Sequence, residues 1–250
     1  MPDVHALEAP SPRYGSAESI QAYARLAGVL GLVSVVAGGF GEAYVPSAII
    51  VSGDPGATAR NILASEALFR WGFAGYLVEA LSDALLTMAF FVLLRPVHGN
   101  LAIAMVVLRV IATCGFAAAQ MLHFAALPIL QSAANRVALG PDQLNAVAFT
   151  LITASGFGHS LFNMFYGLAT VLLGWLIVRS GFIPWMFGAL LILTGILFTA
   201  RTFLVVLAPA YASPLLLAVA AIAFPPLSLW LLVKGVDVAR WRESLARMTG

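Results

Sequence analysis

Glu42, Glu79, Asp83, Arg109, Gln120, His123, His159, Asn163 and Arg201 each interrupt a long apolar stretch of the chain. An ionisable group held in hydrocarbon costs roughly 3 kcal/mol or more, so each needs a partner or a use. Carboxyl, imidazole and guanidinium groups brought together can relay a proton, hold an ion, or grip the polar end of a small molecule. His159 and Asn163 are four residues apart, which puts them on one face of a helix. For the rest, everything depends on the elements that carry them.

Those elements are read from the apolar runs. Of 250 residues, 61% are hydrophobic and only 10% charged, with mean hydropathy +0.96. A soluble domain carries about 25% charged residues, and a chain this apolar could not cover a core with polar surface. A bilayer span needs about 20 apolar residues. The expected architecture is all-α: a polytopic membrane helical bundle of about six spans. These are Leu26 to Tyr44, Glu66 to Leu94, Leu101 to Leu127, Ala146 to Val178, Trp185 to Leu207 and Leu215 to Val233. Residues 1–25 and 235–250 then form tails around a membrane domain at 26–234. Residues 57–64 read as a surface helix started by Asp54 and Pro55, and 129–145 as a polar loop. The fourth run is too long for one perpendicular crossing, so either its first turns stand outside the bilayer or the helix bends near Gly156 and Gly158. Pro225-Pro226 in mid-span should kink the sixth helix.

Orientation follows from the basic residues. Arg13, Arg25, Arg95, Arg179, Lys234, Arg240, Arg242 and Arg247 fall on one side of such a bundle, with only Arg60, Arg70 and Arg136 opposite. The excess marks the cytoplasmic side, so both termini are expected there. Arg240-Trp241-Arg242 suits a membrane-surface anchor, and Trp71, Trp175, Trp185 and Trp230 suit interfacial positions.

Depth along a helix accumulates at about 1.5 Å per residue. Asp83 then lies near mid-bilayer and Arg109 within its reach, because the short Arg95–Asn100 turn makes their helices antiparallel neighbours. An Asp83–Arg109 ion pair is expected, either as a pin between two helices or as part of a relay. Glu42, Glu79, Gln120, His123, His159, Asn163 and Arg201 share a depth in the outer half. They form either a ligand-binding cavity or a closed hydrogen-bond network.

Two cofactor readings rest on the histidines. His123 and His159 could face each other as haem ligands, or bind zinc or iron with Glu42 or Glu79. No H-x-x-x-H or E-x-x-H spacing supports a metal, and structural imidazoles are the default. Cys114 is alone, which excludes an intrachain disulfide, and is expected as a small buried apolar residue. The net charge of +2 is far from what nucleic-acid binding needs. No phosphate-binding loop, nucleophile elbow, voltage-sensor arginine series or selectivity filter is present. Residues 1–20 have no apolar run and are not expected to be a cleavable signal.

Arg25-Leu26-Ala27-Gly28, Asn61-Ile62-Leu63-Ala64-Ser65-Glu66 with Phe69-Arg70, and Leu94-Arg95-Pro96-Val97 form a recognisable set. Asp83, Arg109 and the turn Arg179-Ser180-Gly181-Phe182-Ile183-Pro184 complete it. Across roughly residues 20–205 the chain resembles a bacterial membrane-protein family catalogued as domain of unknown function 4386. The resemblance implies a multi-helix protein of the bacterial inner membrane and carries no catalytic or ligand residue with it. His123 and His159 are outside the matching pattern.

Three functions fit these features. One is binding or transport of a small, partly apolar molecule at the outer polar cluster. A second is a structural or accessory subunit, in a larger membrane complex or a homo-oligomer, docked through the glycine-rich first span. The third is an intramembrane enzyme using Glu79, His123, His159 or Arg201. Lipid is the partner common to all three.

Overall fold

The computed structural model describes residues 16–213, 215–216 and 222–249, all helix or connection with no strand among them. Helix α1 (Ala17–Ile49) leads into a short α2 (Pro55–Ala64), followed by α3 (Glu66–Leu94) and α4 (Gly99–Gln131). Helices α5 (Ala133–Ser180), α6 (Trp185–Leu207), α7 (Phe224–Val233) and α8 (Val238–Thr249) follow. Five of these, α1 and α3 to α6, are long and apolar enough to cross a membrane. The protein is therefore a multi-pass helical membrane bundle. The sixth expected span, Leu215 to Val233, falls partly on 217–221, outside the described residues, as do positions 1–15 of the N-terminal tail.

Several boundaries differ from the sequence reading, each for a local reason. The first helix starts at Ala17, not Leu26, because Ser16 caps it by accepting from the Ser19 amide at 3.2 Å. Residues 129–145 are helical rather than looped. Helix α4 continues through Pro128 to Gln131, and Ser132 then caps α5 through the Asn135 amide at 3.2 Å. The bend in α5 lies at Gly140, where φ is 69° and ψ 165°, and not at Gly156 or Gly158. Glycine adopts that conformation without a Cβ penalty, and Pro141 restarts the helix where its missing N–H costs nothing. By the same rule Pro225 and Pro226 are accommodated in the first turn of α7; the kink expected within 215–233 falls beside residues 217–221, outside the described residues. Cys114 faces outward rather than into the core.

Asp54 caps α2, accepting from the Ala57 amide at 2.8 Å with Pro55 in the first turn. This helix does more than lie on a surface. Thr58 Oγ1 accepts from the Val51 amide at 3.0 Å, and Asn61 Nδ2 donates to the Ile49 carbonyl at 3.0 Å. Ile62 is fully buried beneath it with Val45, Ile49, Leu127 and Leu130 in an apolar core at this end of the bundle. A second core at the other end joins Ala24, Phe90, Leu94, Met105, Leu173, Leu227 and Trp241. The polar side chains occupy the layer between the two.

Helix α8 closes the second core. Trp241 is fully buried, and its Nε1 donates to the Leu93 carbonyl at 2.8 Å. It is thus a plug in the bundle and not a lipid anchor. Arg240 Nη1 also reaches the Gly181 carbonyl at 2.9 Å, and Gln21 Nε2 on α1 donates to the Val236 carbonyl at 2.7 Å.

Helices α5 and α6 run antiparallel at backbone contact. Gly174 faces Gly188 and Gly167 faces Gly195, two pairs placed symmetrically about Gly181 in the connecting turn. A methyl group at 174 would stand 2.5 Å from the Gly188 carbonyl oxygen, while one at 156 meets nothing within 4 Å. Small residues allow such approach, which is how helices associate where water supplies no drive. Gly174→Val should therefore lower the thermal unfolding midpoint in detergent by several degrees or abolish monodisperse protein, and Gly156→Val should leave both nearly unchanged. Equal behaviour of the two variants would contradict the packing described.

Candidate functional site

The polar layer begins on α1, where residues Gly39–Tyr44 form one wide π-helical turn. Such turns rotate the side chains that follow and recur at functional positions. Here the turn carries Glu42. On α3, Glu79 faces it across Gly38, whose missing side chain is what admits the carboxyl group: a Cβ there would stand 2.7 Å from Glu79 Oε1. The two carboxyl groups are within hydrogen-bonding reach of each other. His159 Nε2 on α5 lies 3.5 Å from Glu42 Oε2. Two carboxylates in apolar surroundings repel unless a proton or another cation lies between them. Glu42 Oε1 and Glu79 Oε2 are buried with no donor among the described residues.

One turn further along α3, Asp83 accepts from Arg109 Nη1 at 2.5 Å. The pair is almost wholly buried, with side chains 8% and 1% exposed. The guanidinium also lies 4.2 Å over the Tyr166 ring of α5, a cation–π contact strengthened by the absence of water. Between Glu79 and Asp83, a cleft of about 20 Å³ is bordered by Thr113, Phe116, Phe162 and Tyr166. That volume suffices for about one water molecule.

Beside this arrangement lies a recess of about 580 Å³, bordered by α1, α3, α5, α6 and α7. Glu42, Glu79, His159 and Asn163 supply its polar side, and Phe162, Tyr166, Phe198 and Phe224 its aromatic side. Gly31, Gly38 and Gly39 on α1 leave the space open. Size and mixed lining are those of a small-molecule site. Asn163 is only 3% exposed, and its Nδ2 has no acceptor among the described residues.

The structure divides the set expected from sequence. Glu42, Glu79, His159 and Asn163 line the recess; Gln120, His123 and Arg201 do not. His123 stacks on Phe69 with ring centroids 5.3 Å apart and lies 3.5 Å from Ser155 Oγ. Tyr76 and Phe116 pack edge-on between the two imidazoles: Tyr76 lies 6.0 Å from His123, Phe116 5.7 Å from His159, and the two rings 5.8 Å from each other. The histidines therefore occupy separate surroundings, a poor arrangement for shared haem ligation. Gln120 is buried on α4, and Arg201 on α6 keeps a buried Nε without a partner among the described residues. Nor do the described residues contain a group of three His, Cys, Asp or Glu side chains able to hold a metal.

The aromatic side of the recess was not anticipated. For α5 a signal existed: His159, Phe162, Asn163 and Tyr166 follow the i, i+3, i+4, i+7 spacing of one helical face. For Phe198 and Phe224 there was none, since any phenylalanine in an apolar helix reads as lipid-facing or core.

Taken together, the helices and the recess define a polytopic membrane protein with a mixed acidic and aromatic recess between its spans. More specifically, the chain belongs to the family described as Domain of unknown function (DUF4386), whose profile matches residues 26–235. No curated protein and no solved structure matches it.

Proposed function

We propose that the protein binds a small, partly apolar molecule in the recess and carries it across the bacterial inner membrane, with both termini cytoplasmic. The observation that supports this reading is the recess itself, with carboxyl, imidazole and amide groups on one side and four aromatic rings on the other. The orientation draws on Arg95, Arg179, Lys234 and helix α8, which gather at one end of the bundle and suit the cytoplasmic face.

The other readings have less support. Gly28 and Gly31 pack on Ser228 and Leu232 of α7, and Gly41 packs on Gly72 of α3. With Gly38 against Glu79, four of the five glycines of the first span are thus occupied within the bundle, and Gly39 borders the recess. As for catalysis, His123 and Arg201 do not border the recess that Glu79 and His159 line.

Native mass spectrometry of detergent-extracted protein tests the binding reading. Gly39 lines the recess, and a Cβ there meets nothing within 4 Å, so Gly39→Phe should fill the space without disturbing the helix. The expected result is a bound small molecule that is lost in Gly39→Phe and kept in Gly156→Phe. A native protein free of any such molecule, or an adduct that survives Gly39→Phe, removes the reading.

A further inference from the structure

Acidic groups outnumber fixed cations around the recess. Glu42 comes from α1, Glu79 and Asp83 from α3; the cationic groups are Arg109 on α4, already engaged by Asp83, and His159 on α5 when protonated. Tyr76 and Tyr166 add phenols facing the same groups, and α6 and α7 contribute only Phe198 and Phe224. Two facing carboxyl groups in so apolar a space repel unless a positive charge lies between or beside them, and a proton shared by the pair would supply it. Four aromatic rings border the recess opposite these groups, and a cation placed over the face of such a ring is attracted to it.

We infer that the recess selects an amphiphilic organic cation, which enters by displacing the proton shared between Glu42 and Glu79. This rests on the binding reading above and gives it a ligand class. The exchange balances: one monovalent cation enters, one proton leaves, and the charge within the bundle is unchanged. Conserving that charge matters in a low-dielectric interior, where adding or removing a unit is costly. Asn163 Nδ2, buried and without an acceptor, faces the same space and suits an ether, hydroxyl or carbonyl oxygen on the ligand. Binding in exchange for a proton would let a proton gradient drive movement of the cation in the opposite direction.

The test compares three probes of similar size on purified protein: tetraphenylphosphonium, the isosteric anion tetraphenylborate, and neutral triphenylphosphine oxide. Binding is read by equilibrium dialysis against matched empty micelles, and proton release by a pH dye in weak buffer. Tetraphenylphosphonium should bind saturably, release close to one proton per site, and lose at least tenfold in affinity in Gly39→Phe. Glu42→Gln and Glu79→Gln should each weaken it tenfold or more and suppress proton release, while triphenylphosphine oxide still binds both variants, which shows that they are folded. If the three probes bind alike and Gly39→Phe blocks them all, the cation inference fails and the binding reading stands. Should no probe show binding sensitive to Gly39→Phe, both fail. Phosphonium binding without proton release overturns the exchange.

Discussion

Replacing Arg109 by methionine should cost about 3–5 kcal/mol of stability, the penalty for leaving a buried ion without its partner. Asp83 is 8% exposed at its side chain and accepts only from Arg109 among the contacts its carboxylate makes. The guanidinium is held further by the Tyr166 ring. Asp83→Leu should be similarly damaging, since it strands the guanidinium instead. The double variant Asp83→Leu, Arg109→Met removes both charges and should recover most of the loss, because buried pairs replaced by apolar residues of similar volume are often close to neutral. Thermal unfolding in a mild detergent, with monodispersity as a second readout, measures all three. A double variant as unstable as the sum of the singles would mean that the pair does not act as a unit. If instead the double variant folds well but no longer binds ligand, the pair serves the recess rather than the register of α3 and α4.

The second large effect is expected at Trp241. Truncating a fully buried tryptophan to alanine costs about 3–5 kcal/mol, and here the lost volume lies where α8 closes the core beneath Leu93 and Leu94. Trp241→Phe keeps much of that volume but leaves the Leu93 carbonyl without the indole donor, a loss of roughly 1–3 kcal/mol. Limited proteolysis separates plug from anchor. In Trp241→Ala, the segment 238–250 should become rapidly cleavable in detergent, where no bilayer surface remains to hold it. An anchor acting only on lipid would be released in detergent whether or not Trp241 is present, and would show the same rapid cleavage in variant and parent. Arg242→Ala serves as a comparison: its side chain is exposed, and it should change little.

These two sites show different degrees of legibility. Asp83 and Arg109 could be paired from sequence because a short turn forces their helices to be neighbours and helical rise sets their depths. Both constraints are local. Trp241 was misread because Arg240 and Arg242 flank it, and a basic, aromatic tail has the composition of an interfacial helix. Its burial depends on the site beside Leu93 in the core at that end of the bundle, which no local pattern reports. The polar cluster fell between these cases. Glu42, Glu79, His159 and Asn163 were identified as costly groups at similar depth and do border one space. His123, Gln120 and Arg201 were chosen on the same grounds and lie elsewhere, because depth says nothing about the direction in which a helix turns its side chains.

By itself the sequence determined the order of the five long apolar helices that the described residues contain, their environment, and the start of α2 at Asp54-Pro55. Each of these follows from bilayer thickness, from the need to satisfy every backbone group inside it, and from capping chemistry, all of which act over a single turn or a single span. Only the tertiary structure decided which polar groups meet. Rotation of each helix about its axis is set by contacts between helices, here the backbone approaches at Gly28, Gly41, Gly174 and Gly188, together with the wide turn at Gly39–Tyr44 that aims Glu42. In a uniformly apolar surrounding, hydrophobic periodicity is nearly silent about that rotation, so steric fit and polar satisfaction settle it.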